Sequence, residues 1–108
     1  MPDSVIEKHP DAQVLFDDFD FADDLPDDSE LSTELSTVTA VDSSGAVARK
    51  VVRLEPITAG SMILKAVLKA GTNGEDYLVD FTAVGLTTAR RIVKQLEMRV
   101  RTKVTGAL

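Results

Sequence analysis

The sequence predicts an all-β domain, an antiparallel β-sandwich or small barrel, and three observations carry that reading. Residues 76–84 (DYLVDFTAV) alternate, with Tyr77, Val79, Phe81 and Ala83 on one face and Asp76, Asp80 and Thr82 on the other. Residues 91–101 alternate again: Ile92, Leu96, Met98 and Val100 oppose Arg91, Gln95, Glu97, Arg99 and Arg101, and Lys94 is the exception on the apolar side. A period of two suits a strand with one side on a core and the other in water. Turn-forming clusters divide the chain at regular spacing into about six or seven short runs, as in a sandwich or barrel.

Taken in order, residues 1–12 form an extended N-terminal arm. Pro2 and Pro10 resist helix, and the segment has too few apolar residues to build a core alone. Extended, such an arm reaches up to roughly 40 Å, enough to cross onto a neighbouring subunit. Val5 and Ile6 are its adjacent apolar pair and are expected to anchor it in a groove or against a sheet edge. The sandwich domain spans residues 13–103, and 104–108 is a short tail.

Within that domain, residues 13–21 (QVLFDDFDF) hold three of the four phenylalanines and read as the first strand, pinned by ring burial. Residues 22–29 (ADDLPDDS) are an acidic loop, with room for one helical turn at 27–31 because Asp and Ser cap helix N-termini. Residues 35–41 (LSTVTAV) are a strand, 42–45 (DSSG) a turn, and 46–54 (AVARKVVRL) a further strand. Residues 61–101 then form a three-stranded antiparallel meander. Its first turn is Gly71-Thr72-Asn73-Gly74, whose residues tolerate positive φ. Helical alternatives at 61–70 and 87–99 yield to the alternation and the glycine-flanked turns.

At 108 residues the chain has the length of one domain, with little margin for a core. It has no cysteine, no apolar run near the roughly 20 residues of a membrane span, and no basic-then-apolar leader. These features point to a soluble chain made in a cytoplasm. Its net charge of −6 is unevenly spread. Residues 1–45 hold 13 acids against one base, while the remainder holds 5 acids and 11 bases. The parts therefore carry −12 and +6. Either they present opposite surfaces to unlike partners or they neutralise one another side by side.

Candidates for chemistry are few. One histidine and no cysteine leave no His–Cys pair, multi-histidine site or ordinary activated nucleophile. His9, between Lys8 and Pro10, reads as a solvated loop residue. Calcium wants six to eight oxygens on a loop with a glycine at its bend, and the aspartates at 17–28 match neither the spacing nor the glycine. Asp23, Asp24, Asp27 and Asp28 read instead as an acidic rim for a basic partner. The C-terminal bases, Arg99 and Arg101 among them, guard the last strand or meet an acidic surface; nucleic acid is a poor fit for an acidic chain so short of aromatics. No catalytic residue, cofactor or metal is assigned, and neither membrane nor nucleic acid is expected as a partner.

Certain short motifs carry a family resemblance. Asp20-Phe21-Ala22 precedes an Asp/Ser-rich segment and the Ser-Thr-Val-Thr of residues 36–39. Later come Lys69-Ala70-Gly71-Thr72, the Gly-x-x-Tyr of Gly74 and Tyr77, and the Thr-x-x-Arg of Thr88 and Arg91 before a basic last strand. Over about residues 13–101 this order resembles the small immunoglobulin-like virion proteins of tailed bacteriophages, of the fiber–tail adaptor or neck and tail accessory type. The resemblance implies an immunoglobulin-like sandwich in which Tyr77 begins a strand and packs the sandwich corner. It implies a structural, non-enzymatic role in the virion, in contact with tail, neck or fiber subunits and with copies of itself in a ring or array. Phe21 stands where that family commonly has tryptophan, and the acidic loop is denser. A capsid cement protein, or a calcium-dependent surface or carbohydrate-binding module, are the alternatives.

Overall fold

The two longest alternating runs become the two longest strands. The computed structural model describes residues 2–58 and 60–102. In it β6 (Asp76–Val84) and β7 (Arg91–Val100) form an antiparallel hairpin in register from Asp76↔Arg99 to Val84↔Arg91. Tyr77, Val79, Phe81, Ala83, Leu96, Met98 and Val100 all turn inward and are buried. β3 (Thr37–Val41) adds antiparallel to β6, and β1 (Ser4–Lys8) adds to β7, giving the order β1-β7-β6-β3.

A second sheet has the order β2-β5-β4, all antiparallel, from β2 (Val14–Phe16), β5 (Ala66–Leu68) and β4 (Val52–Leu54). The core lies between the sheets. Phe81 of β6 meets Phe16 of β2 at 5.4 Å and Phe19 at 5.0 Å between ring centroids, and Phe16 and Phe19 meet edge-on at 5.0 Å. The all-β expectation holds: the described residues contain no α-helix, only a 3-10 turn at Arg49–Val51.

Four expectations need correction. The run at 61–70 does not begin a meander, because its strand β5 pairs with β2 and β4 in the other sheet. The connector crosses between sheets through positive φ at Ala70 (51°), Gly71 (102°) and Gly74 (87°). Gly71 passes so close to β7 that a Cβ there would lie 2.7 Å from the Val100 side chain. The strand expected at 46–54 is also broken: after a bridge at Val47 the chain coils through Arg49–Val51 before β4 begins. The turn expected at 27–31 is not helical.

The fourth correction concerns the arm. Residues 4–8 are not a free extension but an edge strand of the chain's own sheet, parallel to β7 from Ser4↔Leu96 to Lys8↔Val100. The Asp3 N–H donates to the Gln95 carbonyl at 2.8 Å, and the Gln95 N–H donates to the Asp3 carboxylate at 2.7 Å. Ile6 and Lys8 share the inner side with Met98 and Val100. Buried Lys8 donates from Nζ to the carbonyls of Ala70 at 2.6 Å and His9 at 2.8 Å, tying the arm to the sheet-crossing connector. Burial lowers its amine below the ordinary lysine value, opposed by the Asp11 carboxylate. The tail at 104–108 lies outside the described residues.

Candidate partner-binding surface

The acidic segment between β2 and β3 folds over one end of the sandwich. The Phe21 N–H donates to the Met62 carbonyl at 2.9 Å, and the Asp24 and Leu25 N–H groups donate back to the Phe21 carbonyl. Phe21, Leu25 and Leu31 are buried beneath this double turn, so its apolar residues hold the segment down while Asp17, Asp18, Asp20, Asp23 and Asp27 face solvent. It is a fixed acidic surface.

Asp28 joins this segment to the β6–β7 loop. Its carboxylate accepts the Thr88 hydroxyl at 2.6 Å, the Thr87 N–H at 2.8 Å and the Thr88 N–H at 3.0 Å. Gly85 is required there, since a Cβ would sit 2.1 Å from the Asp28 carboxylate. Around it the Ser32 N–H donates to the Val84 carbonyl, the Leu86 N–H to the Glu30 carbonyl, and the Val84 N–H to Ser36 Oγ. The two loops form a single unit.

The Thr88 hydroxyl, and then the backbone amides, hold the Asp28 carboxyl below its ordinary value, against the opposing effect of desolvation. An unfolded aspartate titrates near about 3.9. The contribution of Asp28 to stability is therefore complete above that value and is lost as pH falls through the lower, folded one. The Thr87 and Thr88 amide resonances should accordingly hold steady to below the ordinary carboxylate range and move only then. An Asp28→Asn variant should lose that transition. A midpoint at the ordinary aspartate value would show that the loop does not depend on this carboxylate.

Lys94 explains its own exception in the alternation. It points inward at the end of the sandwich, where Nζ meets the Asp24 carboxylate at 2.9 Å and the Asp20 carbonyl at 3.1 Å and lies 4.9 Å from the Phe21 ring centroid. The Lys94–Asp24 pair joins the acidic and basic parts of the chain, whereas Arg53–Glu55, Arg99–Glu97 and Arg101–Asp76 lie within the basic part. Arg99 also feels Glu7 of the acidic part across the β1–β7 ladder, while Asp17, Asp18, Asp23 and Asp27 remain exposed.

The structure separates the residues singled out from sequence. Asp23 and Asp27 are exposed on the acidic end, while Asp24 is engaged by Lys94 and Asp28 is buried in the loop junction. The carboxylates of the last two are engaged by contacts within the chain. Ile6 packs against the core; Val5, 46% exposed, lies on the outer face beside Glu97. Arg99 is exposed and pairs with Glu97 along its own strand. Arg101 spans the Asp76 carboxylate at 2.7 Å and the Val100 carbonyl at 2.8 Å, pinning the far end of the hairpin. Arg99 and Arg101 lie at the opposite end of β7 from the acidic loop, so the eight candidates do not form one site.

Sequence reasoning missed the roles of Gly85 and Thr88 at Asp28 and the exposed apolar points beside the acid. Leu86 on the β6–β7 loop is 57% exposed and Leu35, just before β3, is 53% exposed. The inward Lys94 was the available signal, because a cation on an apolar face demands a nearby anion. Among the described residues no three His, Asp or Glu side chains gather closely enough to hold a metal ion. Compared with protein-family models, curated proteins and solved structures, the chain matches none.

Proposed function

We propose that this chain is a structural component of a tailed phage particle, an immunoglobulin-like adaptor that links tail or neck to fibers through protein contacts. The observation that carries the reading is the strand order. β3-β6-β7 in one sheet and β2-β5-β4 in the other follow the C-F-G and B-E-D orders of an immunoglobulin sandwich. Tyr77 strengthens it. It is buried at the start of β6, and its hydroxyl accepts the Thr72 N–H at 3.0 Å, five residues upstream, in the manner of the tyrosine corner of such domains. The segments that resemble the virion proteins include this corner and the two joined loops at the acidic end.

That end suits a docking role. Leu35 and Leu86 supply apolar contact area, and the exposed aspartates supply a rim that steers a basic partner. The test follows from which carboxylates are unoccupied. Reversing Asp23 and Asp27 to lysine should leave the isolated domain folded, since surface changes away from buried contacts usually stay within about 0.5 kcal/mol. Incorporation into reconstituted particles should fall, and the loss should shrink at high salt as wild-type attraction is itself screened. Wild-type occupancy of the reversed variant at low salt would remove this surface from the assembly contact.

A further inference from the structure

β1, β3, β2 and β4 are the edge strands of the two sheets, and three of them are guarded against pairing with another chain. β1 carries Glu7 and is bracketed by Pro2 and Pro10; β2 and β4 are three residues long, and β4 holds Arg53. Charges, prolines and shortness are the common defences of an unpaired edge. β3 has no such defence. Its five residues include four β-branched side chains and no charge or proline, a composition that favours pairing.

The backbone of β3 is open along part of that edge. On the side away from β6, the Ala40 carbonyl accepts the Ala48 N–H and the Asp42 N–H donates to the Ala46 carbonyl, both at 2.9 Å. Alternate residues direct their backbone groups to the same side. The Val38 N–H and carbonyl therefore point there too and have no protein partner among the described residues, whereas Ala40, opposite Ala48, is buried. After Ala48 the chain leaves through the 3-10 turn Arg49–Val51 for the other sheet, so the hairpin covers only the last part of the strand.

A groove lies beside these groups, lined by Val38, Ala40, Val47, Arg49 and Val52. Val47 is 67% exposed. Arg49 and Lys50 are exposed and form no ion pair among the described residues. The carboxylates of Asp42 and Glu75, past the end of β3, are turned onto the amides of residues 43–46. The edge thus combines an open main-chain donor and acceptor at Val38, apolar walls and uncompensated positive charge.

We propose that the free edge of β3 is a docking site for an extended acidic strand from a partner protein, added alongside β3 by main-chain hydrogen bonds. Its inward apolar side chains lie against Val38 and Val52, its outward ones pass Val47, and a carboxylate faces Arg49. In strand addition the main chain supplies affinity and the alternate side chains supply selectivity. A second copy pairing through its own β3 fits less well, because it would bring Arg49 and Lys50 of both copies into one seam. The inference goes beyond the adaptor reading and rests on the edge geometry alone.

The probe is a capped heptapeptide alternating Val with Glu and Thr, titrated into the 15N-labelled full chain. Amide shifts should concentrate at Val38, Ala40, Val47 and Arg49. A Lys-for-Glu peptide should bind about tenfold more weakly or worse, the ratio expected when a favourable charge contact becomes repulsive. Arg49→Glu, at an exposed position, should reverse that preference without unfolding the domain. The acidic peptide N-methylated at alternate residues should lose binding, because its main-chain donors are gone. Equal affinity of the acidic and basic peptides, or undiminished binding of the N-methylated one, would overturn the proposal. So would concentration-dependent shifts at Val38 and Ala40 without peptide, which would assign the edge to a second copy. None of these readouts involves the phage particle, so their failure leaves the adaptor reading to its own test.

Discussion

Phe81→Ala is expected to cost about 3–5 kcal/mol, as large aromatic truncations in a packed core do. The ring is fully buried at the middle of the central hairpin, and it bridges the layers by touching Phe16 and Phe19, which belong to the opposite side of the sandwich. Removing it leaves a void between two sheets whose strands are held by their own ladders, so neighbouring side chains can collapse only in part. Urea unfolding followed by circular dichroism would read the change as a lower midpoint at unchanged slope. Phe81→Leu keeps most of the volume and should cost clearly less. If alanine costs no more than leucine, the three-ring cluster is not what joins the sheets.

The hairpin that holds Phe81 was legible because one face of it is buried along its length, and each misplaced residue in such a run is conspicuous. Lys94 was conspicuous in that sense, and its partners Asp24 and Phe21 supply the reason. The sheet to which β5 belongs was not legible. Its alternation reads the same in either layer, and a Gly-Thr-Asn-Gly connector is equally suited to a hairpin or a crossing. The left-handed conformation of Ala70, a residue with no local preference for it, helps set the crossing in three dimensions. The roles of the aspartates were hidden for a similar reason. Asp27 and Asp28 are adjacent and chemically identical, and only the arrival of Thr87 and Thr88 about sixty residues later buries one and leaves the other exposed.

The arm misled for a different reason, and it gives the second large expected effect. Pro2 and Pro10 read as breakers of the whole segment, yet they flank the five residues that pair with β7 without interrupting them. A parallel ladder to a strand some ninety residues distant leaves no local pattern to find. Deleting residues 1–8 should therefore destabilise the domain itself, where a free arm would have left it intact. The deletion strips the ladder from β7, removes Ile6 from beside the core and takes away the Lys8 ammonium from the Ala70 carbonyl. Together these losses should consume much of the roughly 5–15 kcal/mol by which a domain of this kind is stable. Single substitutions divide the effect. Lys8→Met should cost about 1–3 kcal/mol by removing the charged donor of two part-buried hydrogen bonds, to the carbonyls of Ala70 and His9, while Val5→Ala, on the outer face, should stay within about 0.5 kcal/mol. Hydrogen exchange supplies an independent reading: the Gln95 and Glu97 amides, whose residues face β1, should lose protection in the truncated chain before the β3–β6 amides do. A truncated chain with wild-type unfolding midpoint and unchanged exchange at Gln95 would show that β1 contributes nothing to the fold and is available to a neighbouring subunit after all.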